Sequence, residues 1–306
     1  AAEAGFDCVK FQYFQAARLV HSNAPSAPYQ KAQTGTESQM DLLKKLELSI
    51  DDIAELYRLS QDMSIDFMVS VFDPVGADEI LNLGVSNIKI GSGDMDDWSL
   101  LQVVAKRAKK LFISTGMATL DQIDKTVQFL YDNGLDRSQL TIFQCNTAYP
   151  TPPEDMNLNV IPVFKEHFSC AIGLSDHSTG CHLALAAIGI GASVIEKHVT
   201  HDVRALGPDH EASLSPDDAK IFCEMVRDVD QAFGSSNKFV TKSEGVNLPL
   251  VRKGVFASRP ISAGQFFTRD MFDFRRPATS LGPWDAFDLL GQSARLSYEL
   301  GDEIRE

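Results

Sequence analysis

Short apolar runs alternate with longer amphipathic stretches from the start of the chain to about residue 234. The strand-like runs cover residues 7–11, 66–71, 87–90, 111–114, 140–145, 169–173 and 193–197. Helical patterns lie between or after them at 39–46, 53–63, 77–83, 99–109, 120–133, 182–190 and 217–233. In the fifth of these, Ile123, Val127 and Leu130 recur at the spacing of one buried helix face. Asp217 and Asp218 follow Ser215-Pro216, a helix cap and first turn. Such alternation requires parallel strands joined by right-handed crossovers.

A closed (β/α)8 barrel takes eight strands, and seven are legible before the pattern stops. The opening Ala-Ala-Glu-Ala-Gly reads as the end of a helix running into the first visible strand. The expectation is therefore a (β/α)8 barrel whose first strand and most of its first helix precede this sequence. An open doubly wound sheet is the competing architecture. Polar residues at the C-terminal end of almost every strand favour the barrel, which assembles its chemistry there.

Residues 235–252 are polar and irregular and read as a linker between a barrel at 1–234 and a small domain at 253–306. The tail shows strand-like pieces at 254–261 and 272–275 with turn residues between them. A unit of that size holds little core, so it is expected to pack against something, such as a second copy of the chain.

At 306 residues and 44% hydrophobic, the chain can bury a large core. Its net charge of −14 argues against nucleic acid or an anionic membrane as the main partner. The five cysteines, Cys8, Cys145, Cys170, Cys181 and Cys223, lack metal-ligand spacing. They read as reduced residues of a cytoplasmic protein. No apolar run reaches membrane-span length, and the start has no signal-peptide pattern.

Chemistry concentrates between Ile172 and Leu214, where His177 and His198 end two runs that read as neighbouring strands. Either histidine alone is readily a satisfied core residue. Two at adjacent strand ends, one beside Ser175-Asp176 and the other beside Glu196-Lys197, point to a metal or acid–base site. Lys89, with Ser92 behind it, and Ser114-Thr115-Gly116 supply a cation, hydroxyls and backbone N–H groups suited to an anion.

Seven short motifs then occur in order. They are Val9-Lys10-Phe11-Gln12, Lys89-Ile90-Gly91-Ser92-Gly93-Asp94, Ser114-Thr115-Gly116-Met117, Tyr149-Pro150-Thr151-Pro152, Ser175-Asp176-His177-Ser178, Glu196-Lys197-His198 and Gly207-Pro208-Asp209-His210. The set resembles the sialic acid synthase family across residues 5–235, and the tail resembles that family's antifreeze-like (SAF) domain. The resemblance implies a TIM barrel and an enzyme that condenses phosphoenolpyruvate with an N-acetylated hexosamine. N-acetylneuraminate made from N-acetylmannosamine is the leading product. The segment Asn23-Ala24-Pro25 … Tyr29-Gln30 is similar to segments in synthases for N,N′-diacetyllegionaminate, so that sugar acid is the alternative.

The resemblance also implies roles for individual residues. Lys10, Gln12, Ser70, Lys89, Ser92, Ser114, Thr147 and Ser175 hold phosphoenolpyruvate. Asp94, Tyr149 and Asp209 contact the sugar. His177 and His198 bind Mn2+ or Mg2+, which polarises the aldehyde, and Glu196 orients a ligand or a water molecule. A salt bridge to Lys197 or another neighbour is the alternative reading of Glu196. Arg276, in Arg275-Arg276-Pro277, reaches into a partner's site, implying a domain-swapped homodimer.

Some positions depart from the family pattern. Asp94 stands where Glu is common, Ser70-Val71-Phe72 replaces Thr-Pro-Phe, and Ala278-Thr279-Ser280 replaces a Gly-x-Gly turn. An opening strand of the form Ile-x-Glu-Ile-Gly-x-Asn-His, whose Glu is linked to catalysis in the family, does not occur here. Two other functions compete with the synthase. A metal-dependent aldolase acting on a pyruvate enolate would not need Lys89, Ser92 and Ser114. In an inert carbohydrate-binding or assembly protein the tail domain would do the work and the barrel would be idle.

Overall fold

In the computed structural model, which describes residues 1–22, 24 and 38–306, the chain divides into two compact units, 1–234 and 235–306. Apart from Ala24, the segment compared above with legionaminate synthases lies outside the described residues.

The first unit holds strands β1 (Cys8–Tyr13), β2 (Asp66–Val71), β3 (Asn87–Ile90), β4 (Lys110–Ser114), β5 (Leu140–Cys145), β6 (Ala171–Asp176) and β7 (Val194–Lys197). All neighbours are parallel, and the strands follow one another in chain order. That order excludes the doubly wound sheet, in which strand order reverses at a switch point. The sheet curls. Its edge strands β1 and β7 would lie roughly 29 Å apart in a flat sheet at about 4.8 Å per strand, yet Lys10 and Glu196 on those strands meet at 2.7 Å. This is a TIM-like half-barrel, and among the described residues no eighth strand joins β7 to β1.

The helices expected between the strands are present, with small shifts of their ends. Ser49 and Thr119 start theirs with capping boxes, and Asp73, Asp97 and Ser215 accept from first-turn N–H groups. Each such cap contributes about 1 kcal/mol. Ile123, Val127 and Leu130 face the core as the spacing requires. Helix Val160–His167, between β5 and β6, has no counterpart in the sequence reading. Its Pro162 looks like a breaker but occupies the first turn, where no backbone N–H is needed.

Strand β6 runs on to Asp176 rather than stopping at Gly173. That glycine belongs inside the sheet, because a Cβ there would lie 2.5 Å from the Val194 carbonyl and 2.6 Å from the Phe143 ring. Below the strand ends, Met68, Phe112 and Phe143 form an apolar cluster with Cys8 and Val194. Strand alternation puts this floor on the same face as Lys10, Ser70, Ser114, Cys145 and Glu196.

In the second unit, β8 (Gly254–Ala257) and β9 (Phe272–Arg275) pair antiparallel around a core that includes Val255, Ile261, Phe267 and Ile304. Residues 235–252, read from sequence as a linker, group with this unit and form helical turns at Lys242–Gly245 and Leu248–Val251. The Ala278 N–H donates to the Pro249 carbonyl at 2.9 Å, tying that segment to the tail. Thr279, in the turn that departs from Gly-x-Gly, accepts from the Val255 N–H at 2.9 Å. It sits so close over Gly254 that a Cβ there would lie 2.5 Å from its methyl. All five cysteines are unpaired. Among the described residues no helix is long and apolar enough to cross a membrane.

Candidate active site

The C-terminal ends of the strands bring most of the expected residues together. Lys89, last but one on β3, is 3% exposed, and its ammonium donates to Ser114 Oγ on β4 at 2.7 Å. It is thus not a solvated lysine. Lys89 also lies 3.5 Å from Glu196 Oε1. That same carboxylate oxygen accepts from Lys10 at 2.7 Å and from Ser175 Oγ at 3.0 Å. Glu196 therefore pairs with Lys10 and Lys89 and not with the adjacent Lys197.

Electrostatics follow from this geometry. Burial pushes the Lys89 ammonium below its usual value, and the Glu196 charge offsets part of that shift. Burial alone would raise the Glu196 carboxyl, but Lys10 and Lys89 overcome it and hold the group well below the carboxylate range. The result is a charged cluster of two ammonium groups, one carboxylate and two hydroxyls above an apolar floor.

A second set of donors lies beside it. Ser92, in the turn after β3, accepts from the Gly116 N–H at 2.9 Å. A Cβ on Gly116 would lie 2.8 Å from the Thr147 methyl and 2.9 Å from Ser92 Oγ. Only glycine lets those hydroxyl residues approach the backbone there. Ser70 is buried and pairs in register with Lys89 on one side and Gln12 on the other. Gln12 is exposed and makes no side-chain hydrogen bond among the described residues. Asp94 is pushed up to about 7, by burial first and then by Asp97.

The histidines stand one residue beyond the ends of β6 and β7, with ring centroids 5.3 Å apart. His177 Nδ1 lies 2.6 Å from the Asn146 carbonyl. A carbonyl only accepts, so Nδ1 carries the proton and the Nε2 lone pair faces the site. The Tyr149 hydroxyl donates to that Nε2 at 3.1 Å, and the Tyr149 ring stacks on the imidazole at 4.0 Å. Burial lowers His177 to about 4. Burial and then Lys10 lower His198 to about 3, so both rings are neutral near pH 7.

Asp209 has its Oδ2 4.0 Å from His198 Nδ1, while its buried Oδ1 has no hydrogen-bond partner. It adopts φ 70°, an uncommon conformation for a non-glycine residue, and burial raises its carboxyl to about 6. Two neutral imidazoles with ring centroids 5.3 Å apart are of the chemistry that a divalent cation takes as a pair of nitrogen ligands. Among the described residues, no three His, Cys, Asp or Glu side chains form a closed ligand cluster, so water or substrate would supply the remaining ligands.

Arg276 belongs to the second unit, where its Nε donates to the Val251 carbonyl at 2.8 Å. Asp176, Lys197 and Ser178, to which the sequence assigns no shared role, form a buried polar network behind the histidines. Alternation was the available signal. It turns Asp176 and Lys197 away from the site face, toward the helices, where charges must pair.

A curled parallel sheet thus carries two lysines, hydroxyls and two neutral imidazoles at its strand ends, where barrel enzymes assemble their sites. A model of the NeuB family matches residues 1–238, and the chain belongs to that family. It is 38% identical over 307 aligned positions to N,N′-diacetyllegionaminic acid synthase of Campylobacter jejuni, covering 100% of this chain and 92% of the relative. It is 32% identical to human N-acetylneuraminate-9-phosphate synthase, covering 100% of this chain and 85% of that protein. A solved N-acetylneuraminic acid synthetase from Leptospira borgpetersenii superposes with a TM-score of 0.70 at 26% identity, over 80% of this chain and 81% of that one.

Proposed function

We propose that this protein is a nonulosonate synthase. It would join C3 of phosphoenolpyruvate to the aldehyde carbon of an N-acylated hexosamine, add water at C2 and release phosphate by C–O cleavage. The observation that carries this reading is the Glu196 carboxylate held by Lys10, Lys89 and Ser175 beside the Ser92–Gly116–Thr147 contact. An aldolase acting on a pyruvate enolate has no use for that second set of donors, and an inert binding protein has no use for a Lys10–Lys89–Glu196 cluster at its strand ends.

In this reading Lys10, Lys89, Ser114, Ser92 and Ser175 hold the phosphate and carboxylate. Gln12, Ser70 and Thr147 border the same ligand. His177 and His198 would hold Mn2+ or Mg2+, which supplies Lewis-acid polarisation of the aldehyde oxygen. Attack by C3 leaves positive charge at C2. Glu196, fixed from three sides, stabilises that charge and orients the water that adds there. Tyr149, stacked on His177, together with Asp94 and Asp209, lines the sugar side. Arg276 would act from a partner chain in a domain-swapped homodimer, with residues 253–306 as an antifreeze-like domain.

For the sugar, two readings stand: N-acetylmannosamine giving N-acetylneuraminate, and a diacetamido sugar giving N,N′-diacetyllegionaminate. The higher identity to the Campylobacter jejuni relative, 38% against 32% for the human one, favours the second. The test is phosphate release from phosphoenolpyruvate with Mn2+ and each N-acyl hexosamine in turn. Release that depends on one of these sugars supports the proposal, and release indifferent to every sugar defeats it.

A further inference from the structure

We infer that the buried Asp176–Lys197 ion pair, locked through Ser178, is the positioning element that sets the spacing of the His177 and His198 imidazoles. Both side chains are 0% exposed, and Lys197 Nζ donates to Asp176 Oδ2 at 2.9 Å. Asp176 Oδ1 accepts from the Ser178 N–H at 2.8 Å and from the Ser178 hydroxyl at 2.7 Å. Lys197 also donates to the Ser178 carbonyl. Every polar atom in this group is thereby satisfied.

The place of the pair in the ladder gives it this role. Asp176 and Lys197 are the last residues of β6 and β7 and are directly opposed in register. Each histidine is the next residue along, beyond the reach of the strand ladder. The ion pair is therefore the last cross-strand tie before both rings. It acts from the opposite face, because side chains alternate along a strand. The Ser178–Asp176 bonds also bend the chain immediately after His177, the geometry of an Asx turn. Beyond the tie, each histidine carbonyl is held separately, His177 by the Thr151 N–H and His198 by the Leu214 N–H, both at 2.9 Å.

Energetics support geometry over stability. A fully buried ion pair contributes little net stability, and apolar residues of similar volume often serve as well or better. Two packed apolar side chains would join the strands but would not make the bonds that turn the chain at Ser178.

The inference rests on the reading of His177 and His198 as a joint ligand pair, so its test separates the two. The uncharged double variant Asp176→Asn/Lys197→Met and the milder Ser178→Ala would be made in the full chain. Mn2+ affinity would be read by electron paramagnetic resonance, phosphoenolpyruvate affinity by calorimetry, and ring separation by crystallography. The double variant is expected to keep its phosphoenolpyruvate affinity, to lose about 10- to 100-fold in Mn2+ affinity, and to depart from the 5.3 Å ring separation. Ser178→Ala should show a smaller loss in the same direction. Full Mn2+ affinity in the folded double variant, or equal weakening of both ligands, overturns the inference. If the double variant does not fold, Ser178→Ala decides by the same criteria. If the unmodified chain binds no Mn2+, the metal reading fails, and the ring separation alone decides whether the pair positions the histidines.

Discussion

Lys10 and Glu196 stand on the two edge strands of the sheet, yet their side chains meet at 2.7 Å. The contact shows how far the sheet curls, and it fills the site with an internal anion. Glu196 takes up the donors that the proposed substrate needs, so a bound phosphate or carboxylate must compete with it.

Glu196→Gln removes that competitor along with the group that orients water. It should leave phosphoenolpyruvate affinity equal or tighter while kcat falls about 100-fold, the low end for loss of a positioned acid–base group. Calorimetry and steady-state kinetics on the same preparation check both halves. Weaker binding would mean that the carboxylate supports the substrate instead of competing with it.

Lys89 is buried and committed to Ser114. Lys89→Met should raise the KM for phosphoenolpyruvate roughly 10- to 100-fold, the range for a lost charge-assisted hydrogen bond, and leave the KM of the sugar nearly unchanged. Equal effects on both substrates would count against the phosphate assignment.

The two imidazoles set a pH dependence. Their folded values, about 4 for His177 and about 3 for His198, lie below the ordinary 6.5. Such groups bind fewer protons folded than unfolded, so their stabilisation is present above pH 6.5 and is lost as pH falls toward 4 and 3. Asp94, raised to about 7, works in the opposite sense. Its contribution is complete below its ordinary 3.8 and is lost as pH rises through 7. Asp209, raised to about 6, works with Asp94, so between pH 6.5 and 4 the carboxyls oppose the imidazoles. The melting temperature of the metal-free His177→Gln/His198→Gln chain should rise relative to that of the unmodified chain as pH falls through this range. Asp94→Asn should raise the melting temperature on the alkaline side.

Arg276 belongs to the second unit, and the proposal assigns it to a neighbour's site. An Arg276→Ala chain mixed with a His198→Ala chain, each inactive alone, should recover part of its activity once subunits exchange. Proven exchange with no recovery would leave the arginine acting within its own chain or not at all.

Much of the fold was legible because strands buried on both faces read as short apolar runs, as Leu140–Cys145 does. Elements masked by a local breaker were harder. Pro162 masks a helix that begins two residues before it, and Gly173 reads as the end of a strand that continues past it. Within the site, Lys89, Ser114, His177 and His198 were visible as polar residues closing apolar runs. The Lys10–Glu196 contact was not visible, because it depends on curling that no local pattern encodes. The Asp176–Lys197 pair was not visible either, because the sequence offers Lys197 as a partner for Glu196, whereas alternation turns Lys197 and Asp176 together to the helix side.

The central claim is condensation with C–O cleavage. Phosphoenolpyruvate carrying 18O at its bridging oxygen, incubated with the protein, Mn2+ and the N-acyl hexosamine that supports turnover, separates the possibilities by mass spectrometry. The account predicts a new 2-keto acid equal in mass to the sugar plus a pyruvate unit, with the label leaving entirely in the phosphate. Label retained in the sugar acid, or phosphate release without any condensed product, would contradict it.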